Sequence, residues 1–157
     1  MLIQFQEYLT FENVYLWVNF AILPFWLMLI FLPNIKITQI LLNSIILPLI
    51  LSATYVYVIY QSILVDNSIV NILKLYTGID NLYIAFEEKS LLLVFWLHFL
   101  AINIFLGTWV SRDAIKYNIP RKLTFMPLIL IYFCGPLGLV FYWLFRVFYA
   151  RRLGFHD

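Results

Sequence analysis

Charged residues are scarce in this sequence of 157 residues, and so are cysteine and glycine. Asp, Glu, Lys and Arg make up 11% of the chain, whereas a typical soluble domain carries about 25%. Hydrophobic residues make up 64%, so there is too little polar surface to cover a water-soluble globule. The single cysteine, Cys134, excludes an internal disulfide. With only 5 glycines and 20% aromatic residues, the chain is neither collagen-like nor disordered.

The charged residues divide the chain into four long uncharged runs. No Asp, Glu, Lys or Arg occurs in residues 13–35, 37–65, 90–111 or 123–145. A helix needs about 20 apolar residues to cross a hydrocarbon core about 30 Å thick, and each run is long enough. The sequence therefore predicts a single-domain, all-α integral membrane bundle over residues 1–157, with the lipid bilayer as its partner. Its four transmembrane helices are expected near residues 14–32, 39–61, 90–111 and 123–148.

The segment between the second and third predicted spans is mixed in polarity. Its apolar residues Ile69, Ile72, Leu73 and Tyr76 recur at helical spacing. This pattern predicts a short interfacial amphipathic helix near residues 68–77.

The basic residues do not indicate the orientation in the membrane. With four spans both termini lie on one side, and each side then carries five of the ten Lys and Arg residues. The positive-inside rule therefore favours neither orientation. Only the terminal Arg151-Arg152 pair favours termini in the cytoplasm or stroma, and the net charge of +2 argues against nucleic acid as a partner.

Each predicted span has a helix breaker or a polar residue near its midpoint, including Pro24, Pro48, His98 and the Gly135-Pro136 pair. A proline inside a helix removes one backbone hydrogen bond. In lipid, the freed carbonyl must be buried in protein or line a cavity. The pattern predicts a polar, kinked region at the middle of the bundle. This region is either a ligand site or has no function, since Pro and Gly are common in membrane helices.

His98 is the main candidate for chemistry. An ionisable residue at bilayer depth is a candidate functional residue by default. Burial is expected to keep the ring neutral, so that it could act as a base or as a hydrogen-bond partner. The alternative is a histidine that only bonds to a neighbouring helix. No second membrane histidine accompanies it, so no metal site is predicted, and no motif for a soluble cofactor is present.

Most further candidates lie on the third predicted span or close to one of its ends, and Trp26 lies on the first. Asp113 and Arg112 are either catalytic or an interfacial pair that snorkels to the surface. Glu87 is either an acid–base group or part of the polar cap of that helix. Asn103 is expected to link helices. Four aromatic residues could stack on a conjugated apolar ligand or simply pack or anchor the helices: Trp26, Trp96, Phe105 and Trp109.

Several motifs in the third and fourth runs carry a family resemblance. They are Trp96-Leu97-His98-Phe99-Leu100, Asn103-Ile104-Phe105, Arg112-Asp113 and Gly135-Pro136-Leu137-Gly138. In these motifs the chain resembles the abscisic-acid-deficient-four-like family, small membrane proteins related to neoxanthin synthase. The resemblance implies a four-helix membrane protein of carotenoid metabolism, in a thylakoid or plastid membrane or a bacterial inner membrane.

The resemblance also implies an activity, the isomerisation of an epoxy-xanthophyll. Opening an epoxide requires a base and a proton donor, and the implied roles are His98 as the base and Asp113 or Glu87 as the acid. The family's intramembrane aspartate is replaced by Asn103, which cannot transfer a proton as a carboxyl can. The alternative is therefore a non-catalytic carotenoid- or lipid-binding subunit of a photosynthetic membrane complex. No cofactor is expected other than a bound carotenoid.

Overall fold

The computed structural model describes residues 9–43, 46–65 and 75–150, and all regular structure in these ranges is helical. The all-α prediction is confirmed for this part of the chain. The helices are α1 (Phe11–Phe31), α2 (Lys36–Asn43), α3 (Ile46–Val65), α4 (Ile79–Glu87), α5 (Lys89–Lys116), α6 (Arg121–Cys134) and α7 (Pro136–Ala150).

Two of the described helices are long and apolar enough to cross a bilayer. They are α1, with 21 residues and a mean hydropathy of 2.0, and α5, with 28 residues and a mean hydropathy of 2.1. The expected second span, 39–61, overlaps α2 and α3, with residues 44–45 between them outside the described part. The described residues therefore do not form four continuous membrane-spanning helices.

The expected fourth span, 123–148, is wrong as a single helix. The chain breaks at Gly135, which has a φ of +54°, and α6 and α7 pack against each other within the described chain. A Cβ atom on Gly138 would lie 2.4 Å from the backbone N of Ile131 and 2.5 Å from the backbone O of Pro127. The absence of a side chain at Gly138 therefore lets the two helix backbones meet. A positive φ followed by Pro136 turns the chain back, where a continuous helix was expected.

The predicted interfacial helix near residues 68–77 lies mostly outside the described part of the chain. The described residues that follow contain α4, which begins after Gly78. Its exposed side includes Ile79, Tyr83 and Ile84, and Ala85 is its buried residue.

The chain divides into two compact units. The first unit comprises Met1–Ile22 and Leu49–Phe99, and the second comprises Leu23–Pro48 and Leu100–Asp157. In the first unit a buried cluster joins Val14, Val58, Leu93, Val94 and Leu97. In the second, the largest side chains with almost no exposure include Arg146, Tyr142, Ile104 and Ile131.

Candidate functional site

His98 lies on the exposed side of α5, and the expectation that it is buried is wrong. Leu93 and Leu97 of the same helix are 4% and 0% exposed and form its packed face. Since consecutive helical residues are about 100° apart, this packing leaves His98 outside the core. Its imidazole ring centre lies 6.3 Å from that of Tyr55, with 46° between the ring planes.

His98 and Tyr55 line a cavity of about 230 Å³ in the first unit. α3 contributes residues at positions i, i+4 and i+7, and α5 presents a matching stripe, so each helix offers one face to the cavity. The wall is largely apolar apart from Tyr55, Ser62, Tyr76 and His98. The lining residues are Tyr55, Ile59, Ser62, Leu75, Tyr76, Leu91, Val94, Phe95 and His98.

Among the polar residues in the wall of this cavity, Ser62 is fully buried. The residue is 0% exposed, and its Oγ has no hydrogen-bond partner among the described residues. A buried polar group without a partner costs roughly 1–3 kcal/mol. Ser62 Oγ is therefore a buried polar atom in the cavity wall whose hydrogen-bonding capacity is not satisfied by the described residues.

A second and larger cavity in the first unit has a volume of about 560 Å³. Its wall is mainly apolar and includes Trp96, whose Nε1 donates a hydrogen bond to Asn19 Oδ1 at 3.2 Å. The Trp96 ring stacks on Phe99 with 5.4 Å between ring centres. The Lys89 and Glu12 side chains also line this cavity and form an exposed ion pair of 2.6 Å. That Trp96 stacks on a conjugated apolar ligand stays a prediction.

Asp113 is held by residues of α7 in the second unit. Its Oδ2 accepts a hydrogen bond from Arg146 Nε at 2.7 Å and another from the Tyr142 hydroxyl at 2.6 Å. The Arg146 side chain is 1% exposed, and its guanidinium lies 4.9 Å from the centre of the Tyr117 ring. Arg112, the neighbour in sequence, is exposed. The observed partner of Asp113 is therefore a buried arginine of α7, not Arg112.

The family resemblance implied proton transfer by His98 and by Asp113 or Glu87. His98 belongs to the first unit and Asp113 to the second. The structure thus brings His98 together with Tyr55 and Ser62, and Asp113 together with Arg146.

Asn103 and Trp26 lie in the core of the second unit. Asn103 is 2% exposed, and its Oδ1 lies 2.6 Å from where a Cβ atom on Gly135 would be. Trp26 is also 2% exposed, packs against Gly107 and meets the Tyr132 ring edge-on at 5.4 Å. Among the described residues, Asn103 Nδ2 and Trp26 Nε1 have no hydrogen-bond partner. Both side chains fill contacts between helices.

The remaining predicted site residues do not converge on one place. Glu87 is exposed at the end of α4, and Phe105 is 58% exposed. Trp109 meets Tyr142 edge-on at 5.8 Å and so backs the Asp113 cluster. Within residues 9–43, 46–65 and 75–150, no group of three His, Cys, Asp or Glu side chains is arranged to hold a metal ion.

Four residues that matter in these clusters were not singled out from the sequence as site residues: Tyr55, Ser62, Tyr142 and Arg146. For Tyr55 and Ser62 the available signal is their i, i+7 spacing on one face of an apolar helix. For Arg146 the signal is a charge that directly follows an uncharged run.

The model of one protein family, described as ABA DEFICIENT 4-like, matches residues 13–142 of the chain. The matched range is 130 of the 157 residues and includes His98, Asp113 and Tyr142. No curated protein and no solved structure matches the chain.

Proposed function

The chain belongs to the ABA DEFICIENT 4-like family, and from this premise we propose that it is an integral membrane protein that binds the oxygenated end group of a carotenoid-class molecule. The binding site is the cavity of about 230 Å³ with His98, Tyr55 and Ser62 in its wall. The observation that carries the proposal is the buried Ser62 hydroxyl, which has no partner among the described residues. Such a protein belongs in a carotenoid-containing membrane, either a thylakoid or a bacterial inner membrane.

The size of the cavity favours one end of a long ligand. Sites for drug-sized molecules measure about 300–1,000 Å³, so a cavity of about 230 Å³ accepts a ring end group and leaves the polyene outside in lipid. The exposure of His98 supports this arrangement, because a ligand dissolved in the bilayer reaches an outward-facing residue directly. Ser62 Oγ then bonds to the ring oxygen.

The same cavity supports an isomerisation by proton transfer. A base removes a proton from the carbon beside the epoxide-bearing ring, and the C–H electron pair forms a new double bond. The C–O bond of the epoxide breaks, and its oxygen takes up a proton. His98 is the base and the Tyr55 hydroxyl is the proton donor, since their rings lie 6.3 Å apart. The proton taken up by His98 then returns to the Tyr55 oxygen, so the reaction changes no atom count and consumes no co-substrate.

A non-catalytic carotenoid-binding subunit is the second candidate function. It is favoured by the position of the carboxylates, because no Asp or Glu lines this cavity in the described chain and Asp113 is engaged by Arg146 and Tyr142. In this case the protein holds the pigment for a membrane complex without converting it.

One expression experiment separates the two candidates. The full chain is produced in a bacterial host that accumulates epoxy-xanthophylls, and the pigments of the cells and of the purified protein are separated by chromatography. Isomerisation predicts a new isomer with the wild-type chain and its loss in His98→Ala. Ile102→Ala is the matched control, since Ile102 is also exposed on α5.

The other outcomes are equally informative. Pigment that co-purifies unchanged with the wild-type chain supports the binding subunit. A colourless wild-type protein with an unaltered pigment profile contradicts both candidates. Full conversion by His98→Ala contradicts the assigned base.

A further inference from the structure

The last two helices are too short to cross a bilayer individually. α6 has 14 residues and α7 has 15, which correspond to about 21 Å and 22 Å. The hydrocarbon core measures about 30 Å. Each helix alone therefore ends inside the membrane or at its near surface.

The turn between these helices reverses the chain. In one continuous helix Pro127 and Gly138 would be about 16 Å apart. Instead, a Cβ atom on Gly138 would lie 2.5 Å from the backbone O of Pro127. Only Gly135 separates α6 from α7, and its φ of +54° allows the sharp reversal. The two helices form a tight hairpin.

Both ends of the hairpin lie at the same end of α5. The chain leaves α5 at Lys116 and enters α6 at Arg121. Near the end of α7, Arg146 contacts Asp113 Oδ2 at 2.7 Å and the ring of Tyr117 at 4.9 Å. The end of α7 therefore lies near the same end of α5 as the start of α6.

This return changes the distribution of basic residues across the membrane. With four spans, Lys and Arg divide five against five. A hairpin instead places Arg146 on the same side as the other described basic residues of this unit. The described basic residues of the second unit are Lys36, Arg112, Lys116, Arg121, Lys122 and Arg146, against one acidic residue, Asp113.

A polar cavity of about 270 Å³ lies in the same unit. Arg121, Asn118 and Thr124 line it at the start of α6, together with Asn34 from the segment before α2. Arg121 and the adjacent Lys122 are exposed. The cavity therefore offers a guanidinium and uncharged polar side chains beside a surface rich in lysine and arginine, which suits a phosphate-bearing headgroup.

From these observations we infer that α6 and α7 form a re-entrant hairpin, and that the basic surface at its open end binds anionic phospholipid headgroups. The basic side faces the cytoplasm or its equivalent, as the positive-inside rule requires. The inference rests on the membrane location in the proposed function but not on its carotenoid ligand. Failure of one therefore leaves the other standing.

Cysteine labelling tests the hairpin. In a Cys134→Ser background, single cysteines replace Glu12, Lys116 or Ala150, and a membrane-impermeant thiol reagent is applied to intact cells and to inverted vesicles. The hairpin predicts that positions 116 and 150 react from the same side and position 12 from the other. Labelling of 116 and 150 from opposite sides shows a spanning segment and overturns the hairpin.

Lipid binding is tested with the purified full chain and phosphatidylglycerol, with phosphatidylcholine as the neutral comparison. Each positive charge near an anionic surface contributes about five-fold in affinity, so Arg121→Gln with Lys122→Gln is expected to weaken phosphatidylglycerol binding about 25-fold. Lys89→Gln, in the first unit, is the control. An equal loss in the control, or no preference over phosphatidylcholine, contradicts the lipid site. Full competition by inorganic phosphate identifies a free-phosphate site instead and also overturns it.

Discussion

Arg146 Nε donates a hydrogen bond to Asp113 Oδ2 at 2.7 Å, with the arginine side chain 1% and the aspartate side chain 10% exposed. This ion pair joins α7 to the end of α5. Tyr142 donates to the same oxygen. The pair therefore connects the end of the C-terminal hairpin to the helix that precedes it.

Removal of either charge of this pair is expected to destabilise the protein strongly. Loss of one partner of a buried ion pair costs about 3–5 kcal/mol because the other charge remains in a low-dielectric site. Asp113→Asn and Arg146→Met should both lower the melting temperature in detergent. The double variant Asp113→Asn with Arg146→Met should lose less than the sum of the two single losses. Additive losses would show that the two charges are not coupled.

Gly138 is expected to tolerate no side chain. In Gly138→Ala the new Cβ would approach the backbone N of Ile131 at 2.4 Å, so α6 and α7 must separate, and overpacking of this kind costs about 1–3 kcal/mol. Gly78→Ala is the matched control, because its nearest neighbour would be Asn81 Nδ2 at 3.8 Å. Thermal unfolding of the two variants in one detergent measures the difference. Equal melting temperatures would contradict the close helix contact.

Ser62→Ala separates a ligand role from a structural one. Removal of a buried hydroxyl without a described partner should leave the ligand-free protein equally or slightly more stable. Retention of a carotenoid end group should fall, by about ten-fold if a bond of about 1.4 kcal/mol is lost. Pigment retention after purification measures the second effect. Ser90→Ala is the control, since Ser90 is buried in the same unit but outside this cavity. Unchanged retention in Ser62→Ala would remove Ser62 from the site.

The carboxyl of Glu12 should titrate below its ordinary range. A hydrogen bond from Lys89 lowers the pKa of Glu12, assisted by the charge of Lys89, and both residues flank the uncharged runs. A lowered folded-state pKa stabilises the fold above the unfolded-state pKa, and this contribution disappears as the pH falls through the folded value. Carbon-13 NMR of Glu12 should show the shift, and Lys89→Met should move the pKa back up. An identical titration in both proteins would show that the ion pair does not persist in solution.

The composition predicts the fold class because the fold class depends on the overall proportions of hydrophobic and charged residues. A content of 64% hydrophobic and 11% charged residues favours an apolar environment, in which helices satisfy their own backbone hydrogen bonds. The helices α1 and α5, which are long and apolar enough to cross a bilayer, follow from uncharged runs of the required length. The motifs around His98 also pointed to the family, whose model matches residues 13–142.

The tertiary structure alone decided three matters: the reversal at Gly135, the outward position of His98 and the pairing of Asp113 with Arg146. A glycine followed by proline allows a kink or a full turn, and the contact of Gly138 with Ile131 selects the turn. An uncharged helix also presents similar hydrophobicity on every side, so its sequence does not indicate which face packs. These outcomes depend on contacts between residues distant in the chain, and hydropathy along a single sequence does not encode them.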